Sequence, residues 1–234
     1  MAMLLNRRKK QAAVFKIFSF YNSKVNRKVP RYQRKVFRKF GFHVYHVKDE
    51  NFSHGDFLNH ICRNVKDTRY LIFFDIDCVP VSRKWFSALM EDLQQPDTIV
   101  GAAQTANHLR DGKNLYVGPF FLAISTDYLA RLNYPDMTMT EDMDAAQNLT
   151  ETIRREGGQV RFWWPTQVEE EKWDLYHPEH KRFGLGTTYN GMVYHAFLSR
   201  FDLADRFLVR CRALMNYRYF LGIRFQWPFD KRAS

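Results

Sequence analysis

In the run RYLIFFDIDCVP, residues 69–80, five consecutive apolar or aromatic side chains lead into two aspartates one position apart, Asp75 and Asp77. Carboxylates that close repel each other unless a cation is present, and hard oxygen donors favour Mg2+ or Mn2+ over zinc. A divalent ion held there could bind a diphosphate and neutralise its charge as a leaving group. The alternative is ordinary turn chemistry, with Asp75 capping a turn, Asp77 solvated and Pro80 ending the strand.

Three other stretches carry chemistry. TEDMD, residues 140–144, offers Asp142 as a carboxylate able to take a hydroxyl proton, with Glu141 or Asp144 tuning it; the same residues also read as a helix cap with first-turn acids. His195 follows a strand-like apolar segment, where a lone histidine is either a satisfied core residue or a ligand. SHGDF, residues 53–57, sets His54 and Gly55 at a helix start whose backbone N–H groups could approach a phosphate or nucleobase, with Ser53 equally an N-cap. The polar stretch AAQTANHLRDGKN, residues 102–114, reads as a mobile loop over the site, with Asn107 or His108 near an acceptor, or as a solvated connection. Core packing is expected for Trp163, Trp164 and Trp173.

The elements that must position these groups follow from hydrophobic periodicity. AVFKIFSFY and FHVYHV read as strands, a helix is expected from Pro30 to its stop at Gly41, HGDFLNHICRN is a short amphipathic helix, and RYLIFFD has the continuous hydrophobicity of a parallel sheet interior. This is a βαβαβ run, the first half of a doubly wound sheet, and ligands bind such sheets at the carboxyl ends of the strands, where Asp75 and Asp77 stand. Further along, a helix capped by Ser82, strands at TIVGAAQT, YVGPFFLAIS and QVRFWWP, and a helix running from TEDMD to paired glycines are expected. The fold class is α/β: a single Rossmann-like domain with a mostly parallel central sheet flanked by helices, over residues 13–200. A basic extension, residues 1–12, precedes it, and a basic amphipathic helical tail, residues 201–234, follows.

At these residues the sequence resembles the GT-A family of nucleotide-sugar-dependent glycosyltransferases, whose DxD motif FFDIDCVP matches, with TEDMD and GTTYNGMVYHAFLSR, residues 186–200, resembling its later acidic and histidine segments. The resemblance spans about residues 14–200. It implies a nucleoside-diphosphate sugar as donor and Mn2+ or Mg2+ as cofactor, with Asp75 on ribose or metal, Asp77 and His195 as metal ligands, and Asp142 as the acceptor-activating base if the enzyme inverts. It also implies that Ser19, Phe20 and Tyr21 at the end of the first strand, and Asp49 after the second, cradle the base and ribose.

With 234 residues, 45% of them hydrophobic, the chain can bury one sizeable core. Three widely spaced cysteines without a CxxC pair encode neither a disulfide framework nor a zinc ribbon and fit a reducing compartment. The start MAMLLNRRKK inverts the order of a secretory signal, and no apolar stretch is long enough to span a bilayer, so a soluble, cytoplasmic protein is expected. The net charge of +11 is local: residues 1–40 hold thirteen basic residues and no acid, whereas residues 41–199 carry a net charge of −7. The basic segment could track a nucleic-acid backbone, and the acceptor could then be a flipped modified base; it could equally bind an anionic membrane carrying a lipid-linked acceptor, or be a solvated face. Two rival classes stand beside the transferase. FFDIDCV also resembles the haloacid-dehalogenase phosphatase motif, with Asp75 as nucleophile and Asp77 as acid/base, although that family places it on the first strand. A noncatalytic nucleic-acid-binding protein would leave DID, TED and the late histidine without a role.

Overall fold

The computed structural model describes residues 13–197, 204–220 and 223–226. The expected βαβαβ run is present: β1 (Ala13–Tyr21), α1 (Lys28–Lys39), β2 (Val44–Lys48), α2 (His54–Asn64) and β3 (Thr68–Phe74). α1 begins two residues ahead of Pro30, which occupies the first turn where its missing N–H goes unused. It ends where Gly41 takes φ +86°, the left-handed conformation a glycine adopts without a Cβ penalty. Ser53 caps α2 through a full capping box with Asp56.

The main sheet has the order β2-β1-β3-β6-β5-β7, with β5 (Thr98–Gln104), β6 (Tyr116–Ser125) and β7 (Gln159–Trp163). β2, β1 and β3 pair in parallel, as do β5 and β7, and β6 runs antiparallel between β3 and β5. The sheet is therefore mixed, with one reversed strand. β3 is buried on both faces: Tyr70, Ile72 and Phe74 enter one core cluster and Leu71 and Phe73 the other, as the two-residue period of a strand requires. The first cluster is covered by α1, α3 (Trp85–Asp92) and α6 (Ala204–Asn216), and the second by α2, α4 (Thr126–Arg131) and α5 (Gln147–Arg155).

A second sheet was not foreseen. It has the order β4-β10-β9-β8, from β4 (Cys78–Pro80), β8 (Pro165–Asp174), β9 (Arg182–Tyr189) and β10 (Val193–His195), all antiparallel. Other expectations need correcting. Ser82 does not cap α3, which starts at Trp85 with Lys84 at the cap; its hydroxyl accepts from the Lys84 N–H in the preceding turn. TEDMD lies ahead of α5 rather than in its first turn, because the chain passes through Ala146 at φ +65° before the helix begins at Gln147. The segment after residue 200 is not helical throughout: α6 buries Phe207, Leu208 and Cys211 in the first cluster, and the hairpin β11 (Tyr217–Phe220) and β12 (Ile223–Gln226) follows it. The basic extension of residues 1–12 lies outside the described residues. Among the described residues, no helix is long and apolar enough to cross a membrane.

Gly55 has a packing role. A Cβ built on it would stand 2.4 Å from the Met137 carbonyl oxygen and 2.5 Å from Thr138 Cα, so the start of α2 and the segment leading to TEDMD touch backbone to backbone. Gly55→Ala is expected to destabilise the fold by about 1–3 kcal/mol, read as a lower urea midpoint with an unchanged slope.

Candidate functional site

Asp75 follows β3 directly, and the turn Asp75–Cys78 is closed by the Cys78 N–H donating to the Asp75 carbonyl at 3.0 Å. Cys78 also opens β4, Cys78–Pro80, which pairs with β10 so that Cys78 stands opposite His195, and the Ala196 N–H donates to the Asp77 carbonyl at 3.1 Å. This pairing carries His195 across 118 residues of sequence to the aspartates. Its Nε2 lies 3.1 Å from Asp77 Oδ1 and 3.6 Å from Asp75 Oδ2. His54, the first residue of α2, approaches from the other side, with Nε2 3.4 Å from Asp75 Oδ1. Phe120 of β6 stacks on the His195 ring at 4.2 Å between centroids and Phe197 packs at 3.8 Å, which fixes the imidazole plane. Asp77 and His195 are buried, and Asp75 is half-exposed.

One ligand atom from each of Asp75, Asp77 and His195 can be chosen so that all lie within 4.8 Å of one another. Neighbouring ligands of a small octahedral ion stand about 3 Å apart, close to the His195 to Asp77 separation. Two carboxylates and an imidazole are an oxygen-rich set suited to Mg2+ or Mn2+. The residues present therefore fit a divalent cation, and the buried His195 Nδ1 has no hydrogen-bond partner.

The cluster forms one wall of a cavity of about 240 Å³ lined further by Phe20, Tyr21, Asn22, Phe52 and Phe197. Among the described residues, no Lys or Arg lines it. Phe20 is braced from behind by stacking on Phe57 at 5.2 Å. Of the residues expected to cradle base and ribose, Phe20 and Tyr21 face this cavity, and Ser19 and Asp49 do not line it. Ser19 is fully buried, and Asp49 uses Oδ1 to accept from the Asn51 and Phe52 N–H groups, capping the turn into α2. Gly55 packs on the backbone at residues 137 and 138.

A second cavity, of about 500 Å³, shares Phe197 with the first and is lined by Gln104, Thr105, Asn107, His108, Asp144, Trp173 and Phe183. Here the structure departs from expectation. Glu141 and Asp142 are exposed and line neither cavity, whereas Asp144 faces the second one. Tyr116 donates its hydroxyl to Asp144 Oδ2 at 2.5 Å, and the Ala145 N–H donates to Oδ1 at 2.8 Å. Burial, with the Asp144 charge beside it, pushes the Tyr116 phenol well above its usual range, so it remains a donor. The loop after β5 is tied down: Asn107 Nδ2 donates to the Asp174 carbonyl at 2.9 Å and its Oδ1 accepts from the Asp174 N–H at 3.1 Å. Trp163 is core, donating Nε1–H to Asp92, while Trp164 stacks on His180 and Trp173 lines the second cavity. Phe52 and Tyr116 carried no sequence signal, and Gln104 and Phe197 were covered only as unnamed members of the stretches 102–114 and 186–200.

Neither a protein-family model nor a curated protein sequence matches the chain. Among solved structures, it is similar to a Drosophila β-1,4-galactosyltransferase 7 mutant in complex with manganese, UDP-Gal and xylobiose, at 13% identity over 72% of this chain and 70% of that one, TM-score 0.42. A glycosyltransferase involved in glycosylation of the major capsid of PBCV-1 matches at 12% identity over 50% of this chain and 62% of that one, TM-score 0.34. A 4-diphosphocytidyl-2C-methyl-D-erythritol synthase from Anaerococcus prevotii matches at 9% identity over 64% and 88%, TM-score 0.44. At such identities the functional reading rests on the side chains.

A cation bound by the folded state alone stabilises it by mass action, by about 2.7 kcal/mol at a hundred times its Kd. Mn2+ is expected to raise the melting temperature of the wild type and to leave that of Asp77→Asn where it was, as read by calorimetry with and without EDTA.

Proposed function

We propose that this chain is a metal-dependent glycosyltransferase that moves a sugar from a nucleoside-diphosphate sugar to an acceptor hydroxyl. The observation that carries the reading is the convergence of Asp75, Asp77 and His195 on the wall of an aromatic-lined cavity. Two carboxylates repel a diphosphate unless positive charge stands between them. Mn2+ or Mg2+, when bound, supplies that charge and stabilises the departing diphosphate. Asp75, Asp77 and His195 would hold the ion, and His54 sits on the outer side of Asp75, where it can orient that carboxylate or meet a phosphate.

Phe20, Tyr21 and Phe52 give the cavity apolar faces for a nucleobase, and Asn22 gives it an amide for hydrogen bonding. The second cavity, reached past Phe197, suits the acceptor: Trp173 and Phe183 offer flat apolar surface, and Gln104, Thr105, Asn107 and Asp144 offer polar contacts. In transfer, the acceptor oxygen bonds to the anomeric carbon as the bond to the diphosphate oxygen breaks. The bonding pair leaves with the nucleoside diphosphate, and the hydroxyl proton needs a base. Asp144 is the carboxylate placed for that task, its Oδ2 oriented by Tyr116 and Oδ1 retaining a lone pair beyond the Ala145 contact. Asp142, the base implied by resemblance, would have to move inward with its loop to compete.

The phosphatase alternative fits less well, since the two aspartates follow the third strand, β3, rather than the first. The test is nucleotide release from a panel of UDP-, GDP- and TDP-sugars, with Mn2+ or with chelator. One donor is expected to be turned over with metal only, and Asp77→Asn should be silent. Asp144→Asn is expected to lower transfer by about 10²–10⁴-fold with donor binding retained, and Asp142→Asn to have a smaller effect. The reverse ranking would return the base to Asp142, and release of inorganic phosphate from phosphate esters would replace the transferase reading.

A further inference from the structure

Gln33 is a polar residue on the apolar side of α1, fully buried among Val29, Pro30, Val36 and Phe37. Its amide reaches the turn that bears both aspartates. Nε2 donates to the Asp75 carbonyl at 2.6 Å and to the Cys78 carbonyl at 3.0 Å, the two ends of that turn. Its Oε1 accepts from His46 Nε2–H at 2.7 Å, and His46 Nδ1 accepts from the Arg34 guanidinium at 2.9 Å. The arrangement admits one assignment of protons. Turning the amide over would set its oxygen against two carbonyl oxygens and its NH2 against the ring N–H of His46.

We propose that Gln33 is a positioning residue for the cation site, a clamp that holds the Asp75–Cys78 turn in the shape that keeps the two carboxylates convergent, with His46 and Arg34 holding the clamp in register. The inference rests on reading Asp75, Asp77 and His195 as cation ligands. The turn is fastened on its other sides by β6, through the Asp75 N–H to the Phe120 carbonyl at 2.8 Å, and by the residue after β10, through the Ala196 N–H to the Asp77 carbonyl. α1 supplies the third side. Gln33 touches neither carboxylate, so its effect passes through backbone, as outer partners of metal ligands commonly act. Burial, with Arg34 beside it, lowers the His46 pKa to about 4, which keeps the ring neutral and Nδ1 an acceptor over the ordinary pH range.

Gln33→Met keeps the length and apolar fit of the side chain and removes both donors. The test titrates Mn2+ into each protein and follows the free-ion electron paramagnetic resonance signal, which needs no substrate or turnover. Wild type is expected to remove the signal saturably, Gln33→Met to weaken Mn2+ binding by about tenfold or more, and His46→Phe to weaken it less. The double variant should be no worse than Gln33→Met, because the two side chains act along one line. Val29→Ala, a core truncation on the same helix, should lower the melting temperature and leave Mn2+ affinity unchanged. Wild-type affinity in Gln33→Met, or an equal loss in Val29→Ala, would overturn the clamp. If Gln33→Met does not fold, unchanged affinity in His46→Phe would overturn it instead. A wild-type protein that binds no Mn2+ would remove the cation site itself, and the clamp with it.

Discussion

Two carboxylates held together in one turn are the constraint on which the rest of this structure turns. Asp75 and Asp77 belong to one turn, and the histidines beside them, His195 and His54, come from a distant strand and a helix start. Both histidines come within 3.6 Å of the carboxylates. What the fold provides is rigidity: a buried strand behind Asp75, a β-bridge beside Asp77, two aromatic rings packed against His195 and a buried amide beneath the turn. An electrostatically unfavourable arrangement persists only where its surroundings over-determine it, and such places tend to be ligand sites.

The two sheets divide the work. The larger one is a scaffold whose strands β1 and β3 end at the first cavity, in keeping with the rule that α/β sheets bind ligands beyond their strand ends. The smaller antiparallel sheet supplies His195 and, through Trp173 and Phe183, the apolar wall of the second cavity. Phe197 borders both cavities, so the two are neighbours. Transfer between two bound molecules needs that adjacency, since holding both reactants in contact removes much of the entropic part of the barrier.

Much of the scaffold was legible in the sequence, because periodicity is a local signal. RYLIFF reads as a doubly buried strand, and SHGDF as a capped helix start, from residues within a few positions of one another. The DxD pair was legible for the same reason. The second sheet was not, since β4 and β10 are only three residues long and exist because they pair with each other. TEDMD illustrates another limit: its composition suits a helix N-terminus, and the left-handed Ala146 that delays the helix has no compositional mark. That displacement exposes Asp142 and turns Asp144 toward Tyr116. Gln33 was not legible either, because what it bonds is 42 and 45 residues away in sequence.

The most direct measurement is a crystal structure with Mn2+ and a nucleoside diphosphate, with data collected for anomalous scattering from manganese. The account predicts a single strong peak bridging Asp75, Asp77 and His195, with the diphosphate against it and the base between Phe20 and Phe52. A diphosphate bound elsewhere, or manganese that ignores the three side chains, would contradict it.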